Sequence, residues 1–145
     1  MKKLALILLL FSFSNLTAQN NLSVKEFMKY YVKVFNEENI IEYKKCLHLP
    51  RSIISNGKIK YYTEESTPEM IFENVKKAGW AYSKINKLTV IFEDKNTAVV
   101  VSDYSRFDKN DKQYFRTEGV YSLSKENGYW KIISMTTKSP ILYPQ

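Results

Sequence analysis

The sequence carries one cysteine, one histidine, four glycines and, against nineteen lysines, three arginines. Cys46 alone cannot close a disulfide within the chain or supply a multi-cysteine metal site, so it is expected as a small buried apolar side chain. A single histidine, His48, argues against a conventional zinc site, which draws on several nitrogen or sulfur ligands. No metal and no cofactor is expected. The four glycines leave too little material for a phosphate-cradling loop, and no nucleophile elbow occurs. Lysines are spread rather than massed, whereas nucleic-acid binding wants clustered basic side chains interleaved with exposed aromatics. Nucleic acid is therefore not an expected partner. Lys25, Lys29 and Lys33 recur at helical spacing and read as one solvated face. The longest apolar run, Leu4 to Phe13, is half of the ~20 residues that span a bilayer.

That run has its own meaning. "MKK" followed by "LALILLLFSF" and the small residue Ala18 reads as a secretory signal peptide over residues 1–18. Cleavage near Ala18 would release residues 19–145 as a single domain, long enough to bury a core without a staple. No cysteine stands at the cleavage point, so a lipid anchor is not expected. The expected location is the periplasm or the medium, with no membrane attachment after cleavage.

Within residues 19–145 helical and strand patterns follow one another, and from Ala81 onward the period stays at two. In "SVKEFMKYYVKVFN", Val24, Phe27, Met28, Tyr31, Val34 and Phe35 fall on one face of a helix, and Ser23 with Glu26 forms a capping box. A second helical pattern runs from about Glu38 to Leu47 and stops before Pro50, leaving His48 at its end. "RSIISNGKIKYY" reads as a hairpin turning at Asn56 and Gly57. Thr67 as N-cap, Pro68 at the first helical position and Gly79 as stop frame a third helix. From Ala81 the period is two, giving strands at about 83–93, 97–107, 113–124 and 129–136, divided by "DKN", "DKND" and "KENG". The fold class is α+β, in the order ααββαββββ, with helices and a hairpin packed on a strongly curved antiparallel sheet.

That order, the "DKNTAVV" lead-in to a strand and the closing "YSLSKENGYWKII" resemble the nuclear transport factor 2-like superfamily, with its SnoaL-like and ketosteroid isomerase-like members. The resemblance covers nearly all of Ser23 to Met135. It implies a cone, a sheet wrapped around the first helix with a pocket between sheet and helices, and it does not fix a reaction. With four-residue and three-residue loops between the strands, Leu123 would pair with Trp130, and Val90, Phe92, Ser102, Tyr104, Thr117 and Tyr121 would face inward. Asn96 would take the left-handed position of its turn. Trp130 would pack near Phe27, Tyr31 and Val34. At the mouth of the cone, Ser102, Tyr104, Thr117 and Tyr121 would meet Tyr31, Phe35, Phe72 and Trp80, an apolar pocket with convergent hydroxyl groups and so a small-molecule site.

The reading leans to a non-catalytic domain that holds a small apolar or aromatic molecule, or to a dimerising scaffold that pairs through Val99, Val101, Val120 and Ile133 on the outer face of the sheet. Alanine at Tyr104 and Trp80 would then abolish uptake without unfolding the protein. The alternative is a proton-transfer isomerase or dehydratase acting on a small hydrophobic substrate. Such chemistry needs an acid or base inside the cone. Asp103, Glu118 and His48 are the candidates, with Tyr114 as a donor, and a register slip or bulge would have to turn Asp103 inward. Otherwise Asp103 and Arg116 form a surface ion pair.

Overall fold

The computed structural model describes residues 22–63, 69–139 and 141–142. The signal peptide read over residues 1–18, and the Thr67 and Pro68 start of the third helix, lie outside the described residues.

Helix α1 spans Val24–Asn36, and its capping box is formed: the Ser23 side chain accepts from the Glu26 backbone N–H while the Glu26 carboxylate accepts from the Ser23 N–H. Val24, Phe27, Met28, Val34 and Phe35 are buried, and Lys25, Lys29 and Lys33 are exposed on the opposite face. Glu38 takes a positive φ of 51° directly after the C-cap, and Asn39 caps the next helix, so the chain turns within two residues. Helix α2 is short, Ile40–Lys45. The expected continuation to Leu47 does not form, because strand β1 begins there: the Ile132 N–H donates to the Cys46 carbonyl at 2.9 Å, and Leu47 pairs with Ile132. Sheet pairing overrides local helical preference at this joint. His48 is consequently a strand residue. Cys46 is fully buried, its thiol 3.4 Å from the Glu42 carbonyl.

Strands β1 (Leu47–Ser55) and β2 (Lys58–Tyr62) form the expected hairpin, with Asn56 at φ 49° and Gly57 at φ 70°. After helix α3 (Glu69–Lys77), Gly79 at φ 87° turns the chain into β3 (Tyr82–Glu93), β4 (Thr97–Phe107), β5 (Gln113–Glu126) and β6 (Tyr129–Thr137). A two-residue β7 (Ile141–Leu142) pairs with Phe115 and Arg116 of β5 and has no counterpart in the sequence reading.

The sheet order is β2-β1-β6-β5-β4-β3, so the hairpin extends the sheet instead of packing on it, and β1 runs parallel to β6. The fold is α+β with a curved, open sheet that is mixed by virtue of this one parallel pair.

The strand registers differ from expectation in an instructive way. The turn between β5 and β6 uses only Asn127 and Gly128, at φ 52° and 86°, so Glu126 faces Tyr129 and Leu123 faces Ile132 rather than Trp130. Between β4 and β5, Tyr104 faces Thr117 and Val100 faces Tyr121. Each shift is two residues, and an even shift preserves which face a side chain takes. Odd shifts occur at bulges. One at Ile91 turns Phe92 away from the inner wall, opposite Val99, where it is 49% exposed. Asn96 is not left-handed; the Asp94 carboxylate closes that turn by accepting from the Asn96 and Thr97 N–H groups at 2.8 and 2.6 Å.

The core between α1 and the sheet contains Phe27, Val100, Leu123, Trp130 and Ile132, all at most 3% exposed. The Trp130 indole N–H donates to the Leu22 carbonyl at 3.1 Å, which satisfies its polar atom just before the start of α1. Trp130 is core, as expected. Gly119 on β5 has a packing role: a β-carbon there would come within 2.9 Å of the Tyr121 ring, which lies back over it.

Candidate functional site

The end of α1 is tied to the start of β3. Asn36 donates to the Ser83 carbonyl at 2.8 Å and accepts from the Ser83 N–H at 2.9 Å, and the Ser83 hydroxyl accepts from the Trp80 indole N–H at 3.0 Å. This double clasp holds Phe35 against Phe72 at 4.8 Å and Trp80 at 5.1 Å between ring centres. In front of that cluster lies a cavity of about 260 Å³ between α1, α3 and the inner face of the sheet.

Five tyrosines line it: Tyr62 from the hairpin and four more from α1, α2 and the sheet. Tyr31 stacks on Tyr43 at 5.5 Å with the hydroxyls 3.5 Å apart, and Tyr121 stands edge-on to Tyr31 at 6.3 Å. Tyr104 completes these four from β4. Burial pushes the phenol pKa of all four above the ordinary value, so each stays a neutral hydroxyl that can donate and accept.

Of the expected binding residues, Tyr31, Phe35, Tyr104 and Tyr121 line the cavity. Phe72 and Trp80 are buried behind Phe35 as its support. Ser102 and Thr117 are buried on the inner face without lining the cavity, and the Thr117 hydroxyl donates to the Lys138 carbonyl at 3.0 Å.

The catalytic alternatives fall elsewhere. Asp103 lies on the outer face, where Arg116 Nε and Nη2 reach its two carboxylate oxygens at 3.0 and 2.5 Å and Asn86 adds a third bond. The bulge at Asn86 lies in β3, opposite Asp103, and does not turn the carboxylate inward. Glu118 pairs with Lys138 on the same side. His48 is half-buried in β1, with Nδ1 3.0 Å from the Pro50 carbonyl oxygen. Tyr114 is the extra residue of a bulge in β5, buried, with a hydroxyl that lacks a hydrogen-bond partner. Burial raises its pKa and the neighbouring Arg106 opposes the rise. Among the described residues, no carboxylate or imidazole lines the cavity and no group of three or more potential metal ligands occurs.

The Asp103 carboxyl is held below its ordinary value of 3.8, first by the bond from Arg116. A depressed folded-state pKa contributes stability that is present above the unfolded value and lost as pH falls through the folded one. Asp103→Asn is expected to cost at most about 1 kcal/mol at neutral pH, because the Arg116 side chain is 45% exposed and solvent screens the pair. Urea melts of protein and variant should begin to converge as pH falls below the ordinary aspartate value and meet once it has fallen through the lower folded-state one; a gap that persists at that acid end would assign the effect to something other than the carboxylate's charge.

The sequence reading missed the two most polar groups in the cavity wall, Arg51 and Arg106. Arg51 pairs across the hairpin with Tyr62, its guanidinium carbon 4.4 Å from the ring centre, and is 6% exposed. Arg106 faces Phe115 across β4 and β5, its guanidinium carbon 4.9 Å from that ring and 5.9 Å from Tyr104. The Nε atoms of both are buried without a hydrogen-bond partner. A signal existed for Arg106, which shares the parity of Ser102 and Tyr104 along β4. Another was rarity, since two of only three arginines meet here.

Comparison with known proteins agrees with this architecture. A family model described as "NTF2-like protein (DUF6841)" matches residues 20–140. No curated protein matches the chain. Among similar solved structures is an NTF2-like protein of unknown function from Shewanella oneidensis, 14% identical, covering 80% of this chain and 96% of its own, with a TM-score of 0.61. An NTF2-like protein from Cytophaga hutchinsonii is 12% identical over 80% of this chain and 94% of its own, at 0.60. A Shewanella frigidimarina protein provisionally assigned as a ketosteroid isomerase is 16% identical over 81% and 95%, at 0.62. At these identities the likeness is one of fold.

Proposed function

This chain belongs to the NTF2-like family DUF6841, and from that premise we propose that it is an exported domain that holds a small apolar or aromatic molecule in its cavity without transforming it. The observation that carries this reading is the cavity of about 260 Å³ walled by aromatic rings with tyrosine hydroxyls among them. An engineered cavity of about 150 Å³ accommodates benzene, so this one suits a ring with a short substituent. The export part of the reading rests on residues 1–18 alone.

The competing reading, a proton-transfer isomerase or dehydratase, needs a titrating acid or base beside the substrate. Asp103, Glu118 and His48 are engaged outside the cavity, so it draws less support. A scaffold reading draws on the outer face of the sheet. Phe92 and Val120 are 49% and 41% exposed there, with Val99 and Val101 half-buried as their cross-strand neighbours. A second copy would cover that stripe.

Native mass spectrometry of residues 19–145, purified from periplasmic expression without denaturation, tests these readings together. The expected result is a retained extra mass that disappears on denaturation. A bare chain mass that also shows no shift with added small aromatic molecules would overturn the binding reading. Subunit number in the same spectrum decides for or against pairing through the sheet.

A further inference from the structure

Resting on the reading of the cavity as a binding site, we propose that the molecule it holds carries an anionic head group, a carboxylate on a small aromatic or apolar body, gripped between Arg51 and Arg106. Arginine is permanently charged and offers five donors in a planar fork that matches a carboxylate. Burying such a group without an acceptor is costly, and proteins ordinarily pair it. Arg51 is 6% exposed, faces the cavity and has no ion pair among the described residues; the Tyr62 ring contacts the face of the guanidinium, and Nε is buried without a hydrogen-bond partner. Arg106 reaches the same cavity from β4, with Phe115 on its face, the Tyr114 hydroxyl nearby and Nε without a partner.

Two strands, far apart in sequence, thus bring to one apolar cavity guanidinium groups that have no ion pair among the described residues and whose Nε donors are buried without a partner. The surrounding tyrosines add neutral donors, and the cavity wall holds no described carboxylate that would compete. A ligand that is apolar throughout would leave both buried Nε donors unsatisfied. An apolar body with one carboxylate satisfies them while the rings of Tyr31, Phe35 and Tyr121 bury the rest.

The test compares 3-phenylpropionate with its neutral counterpart 3-phenylpropan-1-ol by calorimetry on residues 19–145. The expected result is binding of the carboxylate about tenfold or more tightly than the alcohol, since hydrogen bonds to charged groups carry that difference. Arg106→Gln, at the half-buried site, and Arg51→Gln should each remove most of that preference, read as the ratio of the two affinities measured on the same variant. Near-UV circular dichroism identifies a variant that fails to fold, in which case the wild-type comparison and the other variant decide. Equal affinity for the two probes would overturn the anionic head group and leave the cavity as a binding site. Binding of neither at millimolar concentration would overturn both.

Discussion

Trp80→Ala is expected to lower the folding free energy by about 3–5 kcal/mol, the usual cost of removing a large buried aromatic side chain. The indole is 6% exposed and lies 5.1 Å from Phe35 and 6.3 Å from Phe72 between ring centres, and its N–H bonds Ser83, whose backbone is clasped by Asn36. Removing the ring opens a void behind the cavity wall and strands the Ser83 hydroxyl at the joint between α1 and β3. Trp80→Phe should recover more than half of the loss, because it refills most of the volume and forfeits only the hydrogen bond. Urea denaturation measures both. A cost under about 1 kcal/mol for the alanine variant would show that the aromatic cluster does not hold the joint. The structure therefore changes the use of this position. Trp80 reports on folding, and the clean probe of the cavity is Tyr104, which lines it.

Arg51→Met should act in the opposite sense, raising the stability of the ligand-free protein by about 1–4 kcal/mol. Exchanging buried charge for an apolar side chain of similar length is often stabilising by that amount. Here the charge has no counter-ion among the described residues to lose, and only the contact with the Tyr62 ring is forfeited, worth about 0.5–2 kcal/mol. A binding group that weakens the fold is a common signature of a site kept for function. The measurement is thermal and urea melting of both proteins without ligand. A destabilised Arg51→Met would mean that the guanidinium props up the hairpin against the sheet, and the anionic grip would then rest on Arg106 alone.

Much of the fold was legible in the sequence because its signals are local. The Ser23–Glu26 capping box, the Asn56–Gly57 turn and the change of period at Ala81 each act within a few residues. The inner face of β4 and β5 was also legible, since the register shifts there were even. What was not legible depends on partners distant along the chain. Nothing near His48 announces that β6 will draw Leu47 out of a helix and into a parallel pair, and nothing near Ile91 announces the bulge that expels Phe92. The candidate site divides in the same way. Tyr31, Phe35, Tyr104 and Tyr121 followed from periodicity, whereas Arg51 acquires its meaning only from a hairpin that joins the sheet.

Gly119 bears on how such a cavity could be reshaped. The Tyr121 ring rests where a side chain at position 119 would stand, so even one added methyl group would lift the ring off the sheet toward α1. The capacity of the site is thereby set in part at a residue that does not line the cavity. Lineages or engineers seeking a tighter compartment for a smaller guest could begin at that backbone position and leave the hydroxyls and guanidinium groups in place.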